Sequence, residues 1–137
     1  MHLALDGYTG ATEKLQDLEF IRRFLDEYPD SIGMTKITPP HVYTYTGRKP
    51  QDTGISGFVL IAESHISVHT FPDRSHINID VFSCMDFDTE KALEEIRQVF
   101  TMSEVRTWTM ERGLEHMDPA TARQVVGSDR QALCQRP

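Results

Sequence analysis

The sequence predicts an α+β fold, a two-layer α/β sandwich with a largely antiparallel sheet and two helices packed on one face. Three observations predict it. Apolar residues recur at three- and four-residue steps over 12–28 and again over 89–100, the mark of two amphipathic helices. Between them lies a run of short stretches rich in β-branched and aromatic residues. No internal repeat, linker or low-complexity stretch divides the 137 residues, a length that fits one domain and one core.

The elements follow in order. Residues 2–6 read as a short first strand. In the first helix, Leu15, Leu18, Ile21, Leu25 and Tyr28 form the apolar stripe, with Thr12 as N-cap and Pro29 as stop. Strand character returns at 34–37 and 42–46, interrupted by Pro39-Pro40. Residues 47–54 are a polar loop. Strands are then expected at 55–62, 65–71 and 76–83; in the last, Ile77, Ile79 and Val81 alternate with Asn78, Asp80 and Phe82. Asp88 is the expected N-cap of the second helix, whose stripe is Ala92, Leu93, Ile96, Val99 and Phe100. A final strand runs 104–110 through Val105 and Trp108. The domain is expected to occupy 1–113, and 114–137, without a clear apolar period, to form an extended or partly disordered tail.

Composition narrows the function classes. The chain is 39% hydrophobic and 26% charged, as soluble globular proteins are. A formal charge of −7 disfavours a nucleic-acid partner, which calls for a basic patch, and is compatible with a small cationic substrate. The longest apolar run, Phe58 to Ala62, is too short to span a membrane. The first residues show neither a basic region nor a long apolar core, so the cytoplasm is the expected location. Cys84 and Cys134 make no disulfide framework, and Cys134 reads as an incidental exposed thiol.

The densest chemistry is in Leu60-Ile61-Ala62-Glu63-Ser64-His65-Ile66-Ser67-Val68-His69-Thr70-Phe71-Pro72. An apolar strand ends there in a hydroxyl and two imidazoles. Read bare, this is either a nucleophile beside a base or a tight turn with exposed hydroxyls and a solvated His. The Ser64 hydroxyl can attack the carbonyl carbon of Glu63, turning the peptide into an ester, given a strained backbone and a polarised carbonyl. Loss of the Ser64 α-proton then expels the Glu63 carboxylate. The dehydroalanine left behind hydrolyses to a pyruvoyl group. On a regular strand Ser64 and His69 point to opposite faces, so a turn is expected at Glu63-Ser64-His65. His65 and His69 share a face and His76 could join them. A metal reading fails nonetheless, because no Cys or carboxylate stands in a zinc spacing. Taken singly, Cys84 reads as a small apolar side chain, His69 as a hydrogen-bonded strand residue and Ser56 as a turn hydroxyl.

Glu63-Ser64-His65-Ile66-Ser67-Val68-His69-Thr70-Phe71-Pro72 closely resembles the self-cleavage segment of S-adenosylmethionine decarboxylases of the short prokaryotic type. Gly54-Ile55-Ser56-Gly57 stands upstream, like the family's Gly-Val-Ser-Gly. Ile79-Asp80-Val81-Phe82-Ser83-Cys84 stands downstream, like its Asp-Val/Leu-Phe-Thr-Cys. The match is strong over 54–84 and looser over 1–53 and 85–113. The resemblance implies a proenzyme that cleaves between Glu63 and Ser64 into a β chain 1–63 and an α chain 64–137. Ser64 then becomes the pyruvoyl cofactor, which forms a Schiff base with the substrate amine and takes up electrons as CO₂ leaves. His69 and Ser56 correspond to residues that assist processing, and Cys84 to the one that returns a proton to the product. A homodimer of processed protomers and a place in polyamine synthesis are implied too. A non-catalytic regulatory homologue is the remaining alternative, and it gives no reason to keep Glu63, Ser64, His69 and Cys84 together.

The substrate pocket departs from the family pattern. The usual first strand carries an acidic residue followed by aromatics that hold adenine and sulfonium. Here it reads Leu5-Asp6-Gly7-Tyr8, with Gly7 where Phe is expected, and a missing ring would forfeit roughly 0.5–2 kcal/mol. The loop Thr46-Gly47-Arg48-Lys49-Pro50-Gln51 also lacks an aromatic near the Gly-Ile-Ser-Gly turn. Tyr8, Tyr43, Tyr45 or Phe71 could compensate. Alternatively the pocket takes arginine or ornithine, with Asp6 facing the basic side chain. Glu13, in the first turn of a helix, reads as surface charge.

Overall fold

The computed structural model describes residues 1–112 and 118–134. Six strands form one sheet in the order β2-β3-β4-β5-β1-β6. They are β1 (His2–Thr9), β2 (His41–Tyr45), β3 (Gly54–Ile61), β4 (Ser64–Phe71), β5 (His76–Ser83) and β6 (Met102–Met110). Every neighbouring pair is antiparallel, and the expected largely antiparallel sheet is antiparallel throughout. Strand alternation sorts the side chains cleanly. Leu3, Leu5, Ile55, Val59, Ile61, Ile66, Val68, Ile77, Ile79 and Val81 are buried on one face. Helices α1 (Thr12–Gln16), α2 (Leu18–Ser31) and α3 (Thr89–Phe100) cover that face, contributing Leu15, Ile21, Phe24, Leu25, Ala92, Ile96 and Phe100 to the same core. The other face of the sheet carries polar, aromatic and aliphatic side chains, Tyr8, Tyr43, Tyr45, Phe58 and Leu60 among them exposed.

Most expected elements are present, and the differences have local causes. The first helix is two. Asp17 takes extended backbone angles, ending α1, and its carboxylate accepts the Phe20 N–H at 3.0 Å, capping α2. Ala11, not Thr12, precedes α1 and makes no side-chain cap. Pro29 does not stop α2. It lies buried in the last turn, and the helix closes at Ile32, whose N–H bonds the Asp30 carbonyl. Proline forfeits one helical hydrogen bond, and the buried stripe around Tyr28 outweighs it. The strand expected at 34–37 is a single bridge, Lys36 to Ile61, since Pro39-Pro40 cannot extend a ladder. α3 begins as expected, with the Asp88 carboxylate accepting the Lys91 N–H at 2.9 Å. Pro119–Cys134, expected within an extended tail, is a helix, α4. The side chain of Cys134 lies outside the described residues.

Candidate active site

β3 and β4 form a hairpin closed by Ala62 and Glu63, with Ile61 paired to Ser64. The turn thus falls one residue earlier than the expected Glu63-Ser64-His65. Ser64 opens β4 with φ at 151°, a conformation that side chains other than glycine rarely adopt. Strain therefore sits on the residue whose hydroxyl adjoins the Glu63 carbonyl. That carbonyl accepts the backbone N–H of Cys84 at 2.8 Å. A fixed N–H aimed at a carbonyl oxygen draws charge from its carbon and stabilises the oxyanion that forms on attack. The Glu63 side chain is held as well, its Oε2 accepting from the Thr35 N–H at 3.1 Å.

Cys84 is exposed and free. Ser83 explains its position, a residue that sequence reasoning missed. It pairs with Ser64 across the β4–β5 ladder and is fully buried. Its hydroxyl donates to the Met85 carbonyl at 2.7 Å and accepts the Met85 N–H at 3.0 Å, closing the bend that presents Cys84. The available signal was a serine in the apolar register of Ile77, Ile79 and Val81.

Ser56 and His69 are cross-strand partners on the open face, Ser56 Oγ to His69 Nδ1 at 2.9 Å. They do not meet Ser64 within the chain. β4 pairs without a bulge from Ser64 to Phe71, so five residues place His69 about 16 Å along the strand. Glu63, Ser64 and Cys84 thus occupy one end of the sheet, and Ser56 and His69 lie well along it toward the other.

Asp6 and Tyr8 join the second group. The register runs Ser56, His69, Asn78, Asp6, Arg106 across five strands. Asp6, Tyr8, His76, Glu104, Val105 and Arg106 line a cavity of about 300 Å³. Position 7 is different from its sequence reading. A Cβ on Gly7 would lie 2.7 Å from Met102 Sδ and 3.5 Å from Ile77 Cγ2, so it faces the core. A ring there could not reach the open face, and Gly7 is no lost stacking partner. Phe71 and Tyr8 flank His76 instead, with ring centroids at 5.9 and 4.8 Å. A larger cavity of about 590 Å³ lies in the helix layer around Phe20, Tyr28 and Glu95, and none of the candidate residues line it.

Between the two ends sits a titratable cluster. His2 Nε2 bonds Asp80 Oδ1 at 3.0 Å, and this bond is the main reason the Asp80 carboxyl titrates below its usual range. Burial, then His2, hold His65 below the ordinary imidazole value, with Arg112 adding to the effect. Arg112 lies over Phe82 at 3.8 Å. Among the described residues, no three His, Cys, Asp or Glu side chains converge on a common metal position.

Known proteins with this pattern are consistent with one another. A family model described as S-adenosylmethionine decarboxylase matches residues 1–113. The S-adenosylmethionine decarboxylase proenzyme of Archaeoglobus fulgidus is 32% identical over 113 residues, 82% of this chain and 96% of that one. The proenzyme of Acidithiobacillus ferrooxidans is 31% identical over 112 residues, 81% of this chain and 80% of its own. The crystal structure of the adenosylmethionine decarboxylase from Aquifex aeolicus superposes with a TM-score of 0.68 at 31% identity, covering 82% of this chain and 88% of that one.

Proposed function

The chain belongs to the S-adenosylmethionine decarboxylase family, and on that basis we propose that it is a self-processing, pyruvoyl-dependent decarboxylase of S-adenosylmethionine, releasing CO₂ and an aminopropyl donor for polyamine synthesis. One observation carries the self-processing: the strained Ser64 follows a carbonyl that the Cys84 N–H polarises. Ser64 Oγ attacks the Glu63 carbonyl carbon, the C–N bond breaks, and an ester joins the two residues. A base removes the Ser64 α-proton and the Glu63 carboxylate departs. Water then releases ammonia from the remaining enamine, leaving a carbonyl at residue 64. These residues fit that cofactor, since strain, polarised carbonyl and a flanking thiol converge on one serine. A pyruvoyl group supplies an electron sink for the pair left by CO₂. Cys84, exposed beside Ser64, returns a proton to the former α-carbon.

The processing base is assigned to His69, oriented by Ser56. A separation of about 16 Å within one chain supports a second copy as its source. Two sheets stacked on their open faces about a two-fold axis would bring the Ser64 end of each to the His69 end of its partner. The uncovered Tyr43, Tyr45, Phe58 and Leu60 support that homodimer. A free exposed Cys84 that must stay reduced supports the cytoplasm. Among the described residues no helix is long and apolar enough to cross a membrane.

Arginine or ornithine is the second substrate reading, favoured by the Asp6 carboxylate in the 300 Å³ cavity. The test of the whole reading is intact mass. The 15.7 kDa chain should appear as two fragments of roughly half its size, the later one blocked at its first residue. Ser64→Ala should stay whole. An uncleaved wild-type chain that still decarboxylates would exclude the pyruvoyl mechanism.

A further inference from the structure

We propose that Asp6 recognises the cationic side chain of the substrate bound in the partner's site, and that Asn78 and His76 are the positioning residues that aim it. The inference rests on the shared-site reading above. Asp6 and Asn78 lie in the His69 row, the end of the open face remote from the chain's own Ser64.

Hydrogen bonds orient the Asn78 amide, while His76 Nδ1 is buried without a partner among the described residues. A carboxylate only accepts, so Asn78 must turn its NH₂ toward Asp6, and Nδ2 donates to Asp6 Oδ1. The same Nδ2 faces His76 Nε2 at 3.1 Å. Nε2 therefore accepts, and the His76 proton is on Nδ1. The ring is fixed between Tyr8 and Phe71. Arg106, opposite Asp6 on β6, makes no ion pair with it; its guanidinium lies 5.9 Å from the Trp108 ring centroid. Among the described residues, Asp6 makes no salt bridge. What remains is an unneutralised carboxylate beside the Tyr8 ring in a cavity of about 300 Å³. Carboxylate and aromatic face together suit a sulfonium, guanidinium or ammonium ion.

The experiment compares charged and uncharged partners of similar shape on the processed protein. Calorimetry measures S-adenosylmethionine against S-adenosylhomocysteine, and arginine against citrulline, alongside steady-state kinetics. Wild type should prefer the charged member of one pair by about tenfold or more, and which pair it is decides between sulfonium and guanidinium. Asp6→Asn should reduce that preference to about twofold and raise KM about tenfold with kcat within about threefold. Asn78→Ala should raise KM in the same direction, and Asp6→Glu should recover part of the preference. Asp6→Ser repeats the test without an amide to pair with Asn78. Self-cleavage of each variant reports folding separately. A wild type that cleaves and turns over while Asp6→Asn and Asp6→Ser keep the full charge preference overturns this inference alone. A wild type that stays whole overturns the reading beneath it.

Discussion

At Ser64 a backbone angle of 151° and a neighbouring carbonyl bonded to the Cys84 N–H coincide in one peptide unit. Strain of this kind costs of order 1–3 kcal/mol and persists only where the surroundings impose it. Breaking the Glu63–Ser64 bond would release it. The thiol and imidazole should then act at separate stages. Cys84→Ala keeps the backbone N–H, so it should still cleave, yet lose turnover or release a wrongly protonated product. His69→Ala should impair cleavage itself. Gel electrophoresis and a CO₂-release assay separate the two effects, and wild-type turnover by Cys84→Ala would remove Cys84 as proton donor. The Asp80 cluster gives a pH signature. The Asp80 carboxyl is lowered from 3.8 chiefly by the His2 hydrogen bond, so its stabilisation is complete above that value and is lost as pH falls through the folded one. His65 is lowered from 6.5, chiefly by burial, so the unfolded chain binds its proton first and stability declines as pH falls below 6.5. Both act in one direction. Denaturant melts should show stability falling from pH 7 to 5 and further below 4. Asp80→Asn should abolish the lower step at a cost under about 1 kcal/mol at neutral pH, since the carboxylate is partly exposed.

Among the elements, the β3–β4 hairpin sets the geometry of the site. Its register puts Ser56 opposite His69, and the turn residues Ala62 and Glu63 present Ser64. Gly54 holds that register at its open end. A Cβ there would lie 1.8 Å from the Thr70 carbonyl oxygen, a clash with backbone. Thr70, buried, accepts the Ile55 N–H at 2.9 Å and donates to the Leu15 carbonyl at 2.8 Å, tying the hairpin to α1. Gly54→Ala must separate the two strands. It should destabilise by about 3 kcal/mol or more and lower the yield of folded, cleaved chain, measured by thermal melting and intact mass. A variant that melts like wild type would show that the strands can part locally without loss of the fold.

For the whole molecule, the separation of Ser64 from His69 along one sheet makes a prediction about pairs of chains. Ser64→Ala and His69→Ala are each expected to fail in cleavage alone. Co-expressed, they form mixed dimers in which an intact Ser64 meets an intact His69 from the other chain. The His69→Ala chain should then cleave, and mass spectrometry identifies it by its substitution. If neither chain cleaves in a mixture shown to contain mixed dimers, the base acts from within the chain and the shared site is wrong.

The periodicities of the sequence determined α3, β3, β4, β5 and the apolar face they share, because alternation and the helical step depend only on neighbours along the chain. The motif blocks likewise marked Ser56, Glu63, Ser64, His69 and Cys84. Local patterns ran one helix through Asp17, stopped it at Pro29 and made Gly7 a lost stacking position, where a cap, a buried last turn and strand parity decide the outcome. Tertiary structure alone decided the rest. The role of Ser83, marked in the sequence only by a serine in an apolar register, shows once its bonds to Met85 are seen, and that of Asn78 once β1 is seen to bring Asp6 beside it and His76 on β5. The spacing of five residues between Ser64 and His69 says nothing of distance until the backbone between them is known to turn or run straight. It runs straight, because β4 is hydrogen-bonded on both sides by β3 and β5, and that fixes Ser64 and His69 apart along the strand and in the registers of opposite faces.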